Sequence, residues 1–399
     1  LNATASVADL LTEIKVIDVD THVIEPYDLW TSRISVKKWG DKVPHVVWDE
    51  SAQRDAWMTG GELLRYACSA AYAGHEQPPP ENPRRWSEVK TSTWEPHERL
   101  DLMTRLGIHA AVLYPNVPGF GGGKFTSVAG AEGELALEMI KAYNDFLVDY
   151  SSTDPARYIP VMAVPFWDLD VSIAEMERCA AKGHRGIIFS QRPDLFGCPP
   201  LGSRHWDKLW AAATEMGLPV NFHIGGGETD VNLLPPEAGR HANYASVCAL
   251  IYMDNARTLA TLIGSGVCHR FPDLQIVSVE SGVGWIPFAL QGLDWMWKES
   301  AVAKEHPEYE LLPSEYFRRQ MYGCFWFEDG NTLAATIDYL GADRVLYETD
   351  FPHPTSMTPG PASSAMAAKD FIASHLSHLP ESTLRKVLHD NAAALYKID

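Results

Sequence analysis

The stretch VIDVDTH (16–22) sets three polar residues, Asp18, Asp20 and His22, into a run of β-branched apolar residues. Val and Ile at alternate positions favour a strand. Side chains two apart in a strand share a face, so Asp18, Asp20 and His22 are expected to point the same way. Seven further runs have the same apolar, β-rich character: IHAAVLYP (108–115), RYIPVMAVP (157–165), RGIIFS (185–190), LPVNFHI (218–224), LQIVSVE (274–280), MYGCFW (321–326) and RVLYETD (344–350). Between them, apolar residues recur three and four apart over 133–150, 171–181, 204–216, 242–264, 285–297 and 332–340, and closing helices are read over 362–374 and 381–396. Several helices run into glycine (Gly183, Gly217, Gly341), as expected where a helix is capped before the next strand. Strands alternating with helices predict an α/β chain, a (β/α)8 TIM-like barrel spanning 1–399 as a single domain.

One segment does not fit the alternation. Residues 31–104 hold Trp39, Trp48, Trp57, Trp86 and Trp94 and a Pro-Pro-Pro run at 78–80, with no strong periodicity. This is too long for a barrel loop and reads as an insertion after the first strand. Such an insertion emerges at the C-terminal face, where it either caps a substrate or packs outside as a dimer contact.

Charge narrows the partners. With a formal net charge of −19, the surface repels phosphate backbones and anionic lipid, which argues against nucleic acid and membrane and for a small-molecule substrate. No run approaches a bilayer span. Leu1–Glu13 lacks a basic, apolar leader pattern, and six cysteines are scattered without a Cys-x-x-Cys pair, so a cytoplasmic protein with reduced thiols is expected.

The polar residues that end these apolar runs carry the chemistry. In a parallel barrel strand ends converge at one rim, and His22, His223 and Asp350 all stand there, with His353 shortly beyond. A carboxylate and an imidazole at i and i+2, as in Asp20-x-His22, can both reach one divalent ion. The mixed nitrogen and oxygen set suits Zn, Mn or Fe rather than Ca or Mg.

The motifs VIDVDTHVIEP (16–26), GHRGIIFS (183–190), GLPVNFHI (217–224), RFPDLQIV (270–277), GADRVLYETDFPHP (341–354) and NAAALY (391–396) resemble the amidohydrolase superfamily. The resemblance is to its amidohydrolase 2 family, the branch with aminocarboxymuconate semialdehyde and γ-resorcylate decarboxylases. It implies a metal held by Asp20, His22, His223 and Asp350, with Asp350 also handling protons, and a homodimer. No lysine ends the fourth strand (Arg185–Ser190) to bridge a second ion, so one divalent metal is expected, zinc first, with Mn or Fe compatible.

The sequence departs from the family pattern at Glu280, which stands where the family usually has a histidine. It is read as a catalytic acid or base, a fifth ligand, or an acceptor orienting another group. Three carboxylates around one divalent ion leave a charge of about −1, a poor host for an anion. The leading expectation is therefore a mononuclear metal-dependent hydrolase of a small cyclic or aromatic carbonyl compound (lactone, amide or ester), with Asp350 and Glu280 catalytic. The alternatives are a metal-dependent, non-oxidative decarboxylase of an aromatic or unsaturated acid and an inactive ligand-binding barrel. Asp18 and Glu25 are read as supporting the ligands, Arg185 or Arg192 as offsetting the charge, and His353 as facing the cavity. The runs at 121–123 and 225–227 are read as flexible, glycine-rich rim loops.

Overall fold

A computed structural model describes residues 13–226, 231–328 and 330–398. Each of the eight expected strands forms: β1 (Ile17–His22), β5 (Ala110–Tyr114), β6 (Tyr158–Ala163), β7 (Gly186–Ile188), β8 (Val220–His223), β9 (Ile276–Val279), β10 (Met321–Phe325) and β11 (Val345–Tyr347). They lie parallel in the order β1-β5-β6-β7-β8-β9-β10-β11. Their residues are almost all buried, because helices cover the outside and side chains fill the inside. The barrel closes where Asp350 N–H donates to Asp20 O at 2.9 Å and His22 N–H donates to Phe351 O at 2.6 Å. That seam joins the two chain segments richest in site residues.

One buried amide inside the barrel is fully bonded. Asn221 on β8 accepts from Tyr114 Oη at 3.0 Å and Tyr396 Oη at 2.7 Å and donates to Ile187 O at 3.0 Å, which ties the C-terminal helix Asn391–Tyr396 into the barrel. Each such bond removes the penalty of a buried, unpaired amide.

The structure revises several expectations. Residues 31–104 contain a three-stranded antiparallel sheet: β2 (His45–Asp49), β3 (Arg54–Thr59) and β4 (Glu62–Tyr66). Apolar residues on both faces, Val46, Trp48 and Trp57 on one and Val47 and Ala56 on the other, hid its alternation; Trp57 is buried against Trp30 of the barrel side, ring centroids 5.0 Å apart. The helix read over 242–264 is two helices, Arg240–Ile251 and Asn255–Gly264. The glycines at 121–123 are packed rather than loose: Gly121 has φ +93°, a Cβ there would lie 2.4 Å from Ser190 N, and a long helix, Gly123–Ser151, starts at once. Gly227 lies outside the described residues, as do residues 1–12, where the leader was sought. Among the described residues, no helix is long and apolar enough to cross a membrane.

Candidate metal centre

Two strand ends carry non-glycine residues in the left-handed backbone region: Glu280 just after β9, with φ +54°, and Asp350 just after β11, with φ +58°. This conformation costs on the order of 1 kcal/mol per residue and tends to mark functional positions. The chain turns as it leaves each strand, and both carboxylates meet the side chains that end β1 and β8.

Asp20, His22, His223, Glu280 and Asp350 are all buried, and one ligand atom from each lies within 4.8 Å of the others. His22 Nε2 is 3.3 Å from Asp20 Oδ1, 3.4 Å from Asp350 Oδ1 and 3.1 Å from His223 Nε2. The Nδ1–H of His22 points to Pro115 O at 3.2 Å and that of His223 to Ile224 O at 2.9 Å, which leaves the two Nε2 lone pairs facing each other. Asp20 Oδ1 and Oδ2 and Asp350 Oδ1 find no hydrogen-bond donor among the described residues. Acceptors facing acceptors in a buried space are stable only around a cation. The donor set therefore fits one divalent metal.

Stacking fixes the ligand rings. His22 lies on His353 (centroids 3.7 Å apart, 20° between planes) and His223 on Phe120 (3.8 Å, 17°). Burial alone would raise the Asp20 carboxyl, but the imidazoles of His223 and His22 hold it below the usual carboxylate range. Glu280 moves the other way, well above that range, through burial and then the charges of Asp350 and Asp20. Its Oε2 lies 3.3 Å from His223 Nδ1 and its Oε1 3.2 Å from Thr355 Oγ1, whose one proton goes to Asp350 Oδ2.

The supporting residues divide. Asp18 does not share the face of Asp20 and His22: β1 is irregular between Asp18 and Thr21, and Asp18 and Thr21 both border a crevice beside Arg99 and Met103. From there Asp18 accepts from Thr349 N–H at 2.9 Å, beside Asp350, and burial lifts its carboxyl to about 7. Glu25 accepts the Asn116 and Val117 N–H groups at 2.8 and 2.9 Å, and Asn116 Oδ1 in turn meets His353 Nε2 at 2.7 Å. His353 does line the cavity. Arg185 does not: it precedes β7 at the opposite end of the barrel and is exposed there, and Arg192 is paired with Asp194 at 2.8 Å.

A cavity of about 630 Å³ opens above the cluster, bordered by Glu280, His353 and Thr355. Two arginines absent from the sequence reading stand in its wall, Arg65 on β4 and Arg240 at the start of helix Arg240–Ile251. Arg240 pairs with Glu81. Arg65 donates to Asn116 O at 2.8 Å, and among the described residues no carboxylate forms an ion pair with it. Arg99 was also missed; its guanidinium donates to His22 O at 3.0 Å and lies over the Phe351 ring, bracing the closing seam. None of the three sits in a motif, and β4 gave no alternation that would have singled out Arg65.

Comparison with known proteins places these features. The amidohydrolase family model (Amidohydro_2) matches residues 17–398. The γ-resorcylate decarboxylase of Polaromonas sp. (strain JS666 / ATCC BAA-500) is 27% identical over 284 residues, 67% of this chain and 80% of that protein. Among solved structures, an amidohydrolase from Mycobacterium avium subsp. paratuberculosis K-10 superposes with a TM-score of 0.73 at 22% identity, covering 96% of this chain and 99% of the other. The dihydroxybenzoic acid decarboxylase of Polaromonas sp. JS666, solved with manganese and 2-nitroresorcinol, gives 0.62 at 20% identity over 96% and 97%. These relatives overturn the hydrolase expectation, since the curated ones are decarboxylases. The charge count behind that expectation took Glu280 as ionised, although its buried carboxyl is raised well above the usual range, and left out the Arg65 guanidinium in the cavity wall. With a barrel of this topology, a five-residue metal-binding cluster at its C-terminal rim and a family match over almost its whole length, the chain belongs to the amidohydrolase family.

Proposed function

We propose that this protein is a metal-dependent, non-oxidative decarboxylase of an aromatic or unsaturated carboxylic acid. The observation that carries the reading is Arg65, a guanidinium in the cavity wall that makes no ion pair among the described residues, the buried Glu25 acting on it only from beyond ion-pair distance, on the same cavity as the metal-binding cluster. Such a group is suited to an anionic carboxylate, which a hydrolase of neutral compounds would not need. The named activities of the curated relatives support the same class.

Asp20, His22, His223 and Asp350 hold the ion in this reading, with Glu280 orienting His223 directly and Asp350 through Thr355. Two carboxylates and two imidazoles suit manganese as well as the zinc first expected, and the manganese in the Polaromonas structure favours manganese. When bound, the ion supplies positive charge to the oxygens of the substrate. Arg65 orients the acid. The bond from ring carbon to carboxylate breaks, its electron pair stays on the ring carbon, CO2 leaves, and a proton must replace it. Asp350 delivers that proton, with His353 Nδ1 2.8 Å from its Oδ1. Asn116 Nδ2 donates to Val23 O at 2.9 Å, so its Oδ1 is an acceptor and His353 keeps its proton on Nε2; Nδ1 then accepts from protonated Asp350 and holds the proton that passes to the ring carbon, and water returns a proton to Asp350.

The insertion acts as a cap, since Arg65, Ser69 and Ala70 come from it and line the cavity. A cytoplasmic location is supported by six cysteines without a disulfide, and a homodimer by the apolar face that Phe288, Trp295 and Met296 expose on helix Ile286–Glu299. The test of the function is CO2 release from carboxyl-labelled hydroxybenzoates by the manganese-loaded protein. Labelled CO2 is expected, and a panel that yields none while lactones or amides are cleaved would contradict the proposal.

A further inference from the structure

A single-ring hydroxybenzoate fills about 130 Å³ at the close-packed density of a protein interior. The cavity is several times larger, at about 630 Å³. Its surplus has a definite shape. Helix Arg240–Ile251 turns Tyr244, Val247, Cys248 and Ile251 into it, and Tyr252 continues the same face. Spacings of three and four make these residues one stripe. At about 1.5 Å per residue the stripe from Tyr244 to Tyr252 is about 12 Å long, well beyond one carboxylated ring. The stripe shares its cavity with Glu280 of the metal-binding cluster and with His353. The wall is apolar in its body, with hydroxyl tips on the two tyrosines. Cys248 is the smallest side chain of the stripe, one helical turn from a tyrosine on either side, and leaves a notch between them.

We propose that the site takes an extended acid, a carboxylated ring joined or fused to a second ring or to an apolar chain of similar length. The carboxylated ring lies at the metal end facing Arg65, and the remainder lies along the stripe of Tyr244, Cys248 and Tyr252. Only the choice of which end is carboxylated rests on the decarboxylase reading. The slot itself follows from volume and lining.

The test is calorimetric titration of the manganese-loaded protein with salicylate, 1-hydroxy-2-naphthoate and 5-phenylsalicylate. Burial of a second ring is expected to make at least one two-ring acid bind at least fivefold tighter than salicylate. Cys248→Phe, checked for folding by circular dichroism, is expected to cut that preference by half or more. Two-ring acids that both fall short of fivefold, or a folded Cys248→Phe protein that keeps more than half of the preference, would overturn the proposal. CO2 is scored separately in the same samples. Tight two-ring binding without CO2 from any acid keeps the slot and sinks the decarboxylation, whereas CO2 from salicylate with no two-ring preference does the reverse.

Discussion

His353 Nδ1 stands 2.8 Å from Asp350 Oδ1, and the same imidazole is anchored on its far side by Asn116 Oδ1 at 2.7 Å. Burial, and then the charge of His223, hold this imidazole down to about 3, so it is neutral across the working pH range. A neutral ring pinned at Nε2 presents a lone pair to Asp350, which accepts a hydrogen bond from the protonated carboxyl and so holds in place the proton that Asp350 delivers.

Asn116→Ala removes the pin and leaves the metal ligands in place. The expected result is a fall in kcat of about tenfold or more with little change in metal content. Steady-state kinetics beside elemental analysis checks it, and an unchanged kcat would show that His353 needs no anchor.

Asp350→Asn keeps an oxygen at the metal but cannot carry the proton. CO2 release is expected to drop by about a thousandfold, while metal is retained in part. A variant with substantial turnover would place proton delivery elsewhere.

The alternation of strands and helices made the barrel legible, because buried parallel strands read as short apolar runs whatever their order in space. His22, His223 and Asp350 were legible because strand ends of a barrel meet at one rim, the family resemblance gave the set of four with Asp20, and Glu280 was marked by standing where the family usually has a histidine. The sheet of the insertion was not legible, since apolar residues stand on both faces of its strands, Trp48 and Trp57 on one and Val47 and Ala56 on the other. Asp18 was misread because a single irregularity in β1 reverses which face a residue shares, and no residue type announces it. Arg65 was invisible for a different reason: its importance comes from β4 folding over the barrel mouth, a relation between segments that local pattern does not encode.

Arg65→Ala removes the proposed carboxylate clamp. KM for an acid substrate should rise by about ten- to a hundredfold, and Arg65→Lys should recover only part of it, since a lysine cannot offer the planar fork. Equal KM values for the three proteins would remove Arg65 from substrate binding.

His184 gives a pH dependence separate from catalysis. Its Nε2–H donates to Asn144 O at 3.0 Å, and burial holds the imidazole down to about 4. The unfolded chain takes up a proton near pH 6.5 while the folded one stays neutral, so stability is complete above that pH and is lost as pH falls toward 4. Between pH 6.5 and 5 the loss from this group is about 2 kcal/mol. Urea midpoints at pH 7 and pH 5 measure it, and His184→Gln should flatten the slope; an unchanged slope would contradict the assignment.

The most direct test of the whole account is the metal content of the purified chain beside its His22→Ala variant, both shown to be folded. About one divalent ion per wild-type chain, and under about a tenth of that in the variant, is the predicted result. A folded wild-type protein that takes up no stoichiometric ion even when manganese or zinc is supplied would contradict it and leave a barrel that binds ligands without this chemistry.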